Sequence, residues 1–138
     1  MSRRPRDRGA AAVEMAIVLP LLLLVIGGLV DFGRLFYTQM VIGNAAREGV
    51  RVVAMDSPTT PGSRVNQAVG ASLPGLTVNT TIAQGCPNAT GAKVTVTVPT
   101  GSGAGKFHWT VLNVIPSFFG GSVPVPAITA TGNMRCQG

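Results

Sequence analysis

Arg8-Gly9-Ala10-Ala11-Ala12-Val13-Glu14 runs directly into sixteen uncharged residues, Met15 to Val30. Ala10–Val30 is 21 residues, about 32 Å as an α-helix, which is enough to cross a bilayer. A carboxylate inside such a run is costly: an acidic residue at mid-bilayer costs roughly 2.5–3.5 kcal/mol, less toward the edge. Glu14 therefore needs a reason to be there. A cut after Gly9 supplies one, because Glu14 then becomes the fifth residue of a chain that begins at Ala10. Glycine suits a cleavage site, having no side chain and a freely adapting backbone. The new Ala10 amine of one subunit can neutralise Glu14 of a neighbour when such helices bundle.

Composition agrees with an anchor plus one modest domain. Charged residues are 12% of the 138 and hydrophobic residues 46%, low in charge for a soluble domain. The +6 net charge does not mark a nucleic-acid surface. Arg3, Arg4, Arg6 and Arg8 against Asp7 put half of it in the first nine residues, and the rest is scattered. A basic head before an apolar run follows the positive-inside rule and keeps the N-terminus in the cytoplasm. No small-x-small cleavage site follows the run, where Asp31-Phe32-Gly33-Arg34 stands instead, so an ordinary secretory signal is disfavoured. The segment is expected to stay attached, with the remainder extracytoplasmic. Pro20 is a possible bend within it.

Beyond Val30 the helical spacing continues. Phe32, Leu35, Phe36, Gln39, Ile42, Gly43, Ala46 and Val50 recur at intervals of three and four, with Arg34, Thr38, Arg47 and Arg51 outside that stripe. One helix is expected from about Ala10 to Met55, stopped by the stretch Asp56 to Gly62 with its two prolines. The contact face for other helices is placed at Phe32, Leu35, Phe36, Gly43 and Ala46, where small residues permit close approach.

A second short helix is expected through Val65, Ala68, Val69, Ser72 and Leu73, closed by Pro74-Gly75. Strands follow at Leu76–Ala83, at Lys93–Val98, where Val and Thr alternate with period two, and at Ile128–Met134. Residues Gly85–Gly91 read as a hairpin connection and Thr100–Gly105 as a flexible glycine-rich link. Phe107–Phe119 holds four of the seven aromatics and is expected to pack on the sheet or on a partner. The fold class is thus α+β: a long N-terminal helix, membrane span plus extension, carrying a small antiparallel sheet head. Its divisions are a basic leader at 1–9, a helical stalk at 10–55 and the head at 56–138. Cys86 and Cys136, the only cysteines, are expected to pair in an oxidising compartment.

Catalytic chemistry finds no support in the residue pattern. His108 is the only histidine, and two cysteines fifty positions apart do not make a zinc pattern. Gly101-Ser102-Gly103-Ala104-Gly105 lacks the Lys-Ser/Thr of a phosphate loop, with Lys106-Phe107 following instead. A non-enzymatic role without metal or cofactor is the expectation.

Four stretches together carry a family resemblance: Arg8-Gly9-Ala10-Ala11-Ala12-Val13-Glu14, Leu19-Pro20-Leu21-Leu22-Leu23, Val30-Asp31-Phe32-Gly33-Arg34, and Asn44-Ala45-Ala46-Arg47-Glu48-Gly49-Val50-Arg51. They resemble the TadE-like family of pseudopilins, and Thr129–Arg135 is similar to that family's final strand. The resemblance implies a minor, pilin-like subunit of a tight-adherence (Flp-type) pilus, processed by a prepilin peptidase. Its partners would be other pilins or pseudopilins, inner-membrane pilus machinery and membrane lipid, with no nucleic acid. By position, Gly9 precedes the cut, Ala10 is the mature N-terminus and Glu14 the assembly charge. The chain departs from the family pattern at Met15, where an aromatic residue is common. The competing expectation is an uncleaved, signal-anchored envelope protein whose head binds an extracytoplasmic partner.

Overall fold

The computed structural model describes residues 6–55, 60–86, 91–111, 114, 120 and 127–136, the side chains of 6–8 excepted. Helix α1 runs unbroken from Arg6 to Ala54, 49 residues with Pro20 inside it, about 73 Å at 1.5 Å per residue. Helix α2 is Pro61–Ser72. Three strands complete the fold: β1, Asn79–Gln84; β2, Gly91–Val98; β3, Ile128–Arg135. They form one antiparallel sheet in the order β1-β2-β3. The architecture is the α+β one expected, a long helix with a small sheet head.

Strand β2 is central, and its alternation explains why. Ala92, Val94, Val96 and Val98 are buried while Lys93 stays exposed and Thr95 and Thr97 are half-buried, the period of two that a one-sided sheet requires. The buried face lies on the C-terminal half of α1, its outer half as measured from the N-terminus, at Ile42, Ala45, Ala46 and Val50, with Val65 and Val69 of α2 closing one side. Phe107, Trp109 and Ile128 complete the core. Two glycines allow the layers to meet. A Cβ on Gly132 of β3 would stand 2.5 Å from the Ala46 carbonyl oxygen, and one on Gly49 would stand 2.6 Å from Val65 Cγ2. Either addition forces helix and head apart.

The starts of α2 and β1 differ from expectation. α2 begins at Pro61, within the stretch read as a helix stop, because proline at the first helical position sets φ and has no N–H to leave unpaired. β1 begins at Asn79, not Leu76. The preceding residues are bound elsewhere: Leu76 N donates to Leu73 O at 3.2 Å and Thr77 N to Gly105 O at 2.8 Å. The bulge between Ile82 and Gln84 then leaves Ala83 unpaired.

The glycine-rich link is a closed loop instead of a slack one. Gly101, Gly103 and Gly105 have positive φ, the left-handed region open to glycine. Phe107 N donates to Pro99 O, Gly101 N to Phe107 O, and Lys106 N to Gly103 O. The Gly105 carbonyl also accepts the Thr77 hydroxyl at 2.7 Å. The hairpin tip, the Asp56–Thr59 part of the helix stop and the Phe118-Phe119 pair lie outside the described residues.

Candidate functional site

The first candidate region is the N-terminal end of α1. Gly9, Ala10 and Glu14 are all exposed on the continuous helix, and nothing stands within 4 Å of a Cβ placed on Gly9. The following stretch is exposed on every side, with Ile17, Leu21 and Leu29 at 68–69%. α1 is a helix long and apolar enough to cross a membrane, its most apolar window having a mean hydropathy of 2.6 and no residue covered by the rest of the protein. This fits a single-pass anchor, since an all-round apolar helix needs an apolar surrounding.

The second region is where the head meets the end of that apolar run. Asp31, the first polar residue after Val30, is only 3% exposed. Its carboxylate accepts the Thr110 N–H at 3.0 and 3.1 Å through its two oxygens, and the Val111 N–H at 2.7 Å through Oδ2. Charge-assisted bonds of this kind are roughly twice as strong as neutral ones. One turn below, Gly27 is so close to the Val111 side chain that no Cβ fits between them. One turn above, the Arg34 guanidinium carbon stands 5.5 Å from the centre of the Phe107 ring. Arg34 Nη1 also makes a long hydrogen bond, 3.5 Å, to Thr110 Oγ1. Phe107 in turn meets Trp109 edge-to-face at 5.2 Å. A clasp therefore ties residues 107–111 to three successive turns of α1.

Further out, Gln39 Nε2 donates to Thr129 O at 3.0 Å, and the Tyr37 hydroxyl donates to Ser72 O at 3.3 Å. These bonds fix β3 and α2 to the same helix. The disulfide Cys86–Cys136 joins the end of β1 to the end of β3, with Cα atoms 5.8 Å apart. It closes the sheet at the end away from the clasp. Both cysteines lie where the sequence reading places them.

The five residues read as one contact face divide between two faces. Phe32 and Phe36 are 57% and 62% exposed, and Gly43 is open on its Cβ side. Leu35, by contrast, packs against the core and Ala46 is completely buried under β3. Thr38, read as outside the stripe, is buried as well. A spacing of three and four cannot separate adjacent stripes on one helix, and here two of them run side by side. The open one continues through Met40, 68% exposed, and borders a groove of about 410 Å³ with Gln39, Asn44 and Arg47. Asp31 went unassigned in the sequence reading. Its signal is an acid at the exit of an apolar run, but the backbone groups it binds stand 79 and 80 residues away.

Residues 9–51 match the TadE-like protein family. The match lies wholly within α1 and takes in Gly9, Glu14, Asp31 and both stripes of the outer half. TadE-like proteins are a structural, pilus-associated family. No curated protein matches the chain, and no solved structure does. The head is thus characterised by its own geometry alone.

Proposed function

We propose that this chain is a pilin-like subunit, a pseudopilin, that takes part in assembling or anchoring a Tad/Flp-type pilus after cleavage by a prepilin peptidase. The observation that carries the reading is the TadE-like match over residues 9–51, coinciding with one uninterrupted helix that holds Glu14 near its N-terminal end and an open aromatic stripe just past its apolar run. In this reading residues 1–9 are a cytoplasmic leader, Ala10–Val30 spans the inner membrane, and the disulfide-closed head lies outside. Glu14 of one subunit pairs with the Ala10 amine of its neighbour, so neither charge is left alone in lipid. Phe32, Phe36 and Gly43, with Met40, face another pilin-type helix, whereas Leu35 and Ala46 hold the chain's own head.

The test is the intact mass and N-terminal sequence of the membrane-bound protein, made with and without its prepilin peptidase. A start at Ala10 that depends on the peptidase is the expected result. An intact leader in both samples overturns it and leaves an uncleaved, anchored envelope protein.

A further inference from the structure

The cavity of about 260 Å³ beside the clasp is lined by Arg34, Tyr37, Thr38, Lys106 and Phe107, with the 73–76 turn as its far wall. Two cations from distant parts of the chain converge on it. Arg34 is held over Phe107 and against Thr110. The Lys106 stem lies over the glycine loop, its Cδ 3.9 Å from the Cβ positions of Gly101 and Gly103. Its ammonium forms no ion pair among the described residues. Beyond Val30 the chain carries seven basic residues against Asp31, Glu48 and Asp56, and Asp31 is engaged in the clasp.

Position along α1 identifies what meets these cations. The Arg34 Cα stands about 6 Å past Val30, the end of the uncharged run, and the Tyr37 Cα about 10 Å past it. The headgroup layer is roughly 5–7 Å thick on each side of the hydrocarbon. Helical side chains lean toward the helix N-terminus, which here is toward the bilayer. Arg34 therefore reaches into the phosphate layer, and the cavity opens beside it. The geometry points to a binding site for the phosphate headgroup of an anionic phospholipid in the leaflet on the head's side. Arg34 supplies a planar, multidentate phosphate contact and Lys106 a point charge, while the Tyr37 ring, its hydroxyl held by Ser72 O, walls the cavity. Such a lipid fixes the rotation of the head over the membrane, and so the direction in which Phe32 and Phe36 face. This inference rests on the membrane-anchored reading of α1.

The test uses the full chain in zwitterionic detergent micelles, titrated with short-chain phosphatidylglycerol, short-chain phosphatidylcholine and inorganic phosphate. Emission of Trp109, the only tryptophan, and native mass spectrometry report binding. One phosphatidylglycerol is expected to bind at least about tenfold more tightly than phosphatidylcholine. Lys106→Gln should weaken it about fivefold and the Arg34→Gln/Lys106→Gln pair by more than about tenfold. The Arg64→Gln/Arg135→Gln pair, with the same loss of charge elsewhere, should change it less than about twofold. Equal binding of the two lipids overturns the site, as does equal weakening by the control pair. Inorganic phosphate saturating at the same concentration makes it a soluble-anion site and overturns the lipid assignment. Carbonate extraction of the wild-type protein tests the anchor separately: a released protein sinks the membrane reading, whereas a retained one without lipid preference sinks only this site.

Discussion

Val13 to Val30 and Thr38 to Ala54 belong to one helix but meet opposite surroundings. In the inner stretch the large apolar side chains are exposed all round the axis. In the outer stretch one face is closed, with Ile42, Ala45 and Ala46 at 0% exposure, while the other face stays open at Met40 and Asn44. The backbone is the same, so the contrast lies in what covers it. An apolar cylinder needs an apolar solvent, whereas an apolar stripe needs one partner. The difference teaches where the two demands overlap: Phe32 and Phe36 continue the inner stretch's exposure past the point where the head begins.

That contrast can be broken most severely on the covered face. Ile42→Asp puts an unpaired charge under the sheet and should cost about 5 kcal/mol or more. Limited proteolysis should then degrade the head while α1 stays in the membrane fraction. An intact head would mean that the outer half of α1 is not the floor of the core. Cys136→Ser should cost about 4 kcal/mol on the chain-entropy model for a separation of 50 residues, seen as a lower denaturant midpoint under non-reducing conditions only. No change in midpoint would place the staple's effect outside the folding transition.

Asp31→Ala addresses the junction between the two stretches. It leaves the Thr110 and Val111 N–H groups without their acceptor and should cost about 2 kcal/mol. Faster amide exchange at residues 110 and 111, with the β2 amides unchanged, would be the signature. Exchange that rises equally in β2 would show that the clasp supports the whole head. The smallest effects on folding belong to the open surfaces. Phe36→Ala and Glu14→Val should each shift head stability by less than about 0.5 kcal/mol and leave membrane insertion intact, yet reduce piliation. Normal piliation with both would remove the proposed contact stripe and the charge pairing together.

Much of this arrangement was legible before any coordinates. An apolar run of membrane length needs no tertiary information, because its length and lack of charge already meet the bilayer's requirement. The Val/Thr alternation at 93–98 likewise announced a strand buried on one side. Local pattern was weaker at α2, where Pro61 reads equally as a stop and as a first helical residue. It failed for the stripe at 32–50, since neighbouring faces share the same spacing and only the head's position separates Ala46 from Gly43.

Taken alone, the residues determined a helix long and apolar enough for an anchor, the fold class and the pairing of the two cysteines, which follow from local periodicity, charge order and cysteine count, while the resemblance rests on the motifs within α1. Only the tertiary structure decided which helical face the head occupies, that the glycine loop is closed by Thr77 and Phe107, and that Asp31 holds residues 110 and 111. Apart from the local bonds of Phe107 to Pro99 and Gly101, those outcomes depend on contacts between residues 28 to 90 positions apart. Such pairings are chosen by packing and hydrogen-bond geometry in three dimensions, which no local pattern encodes.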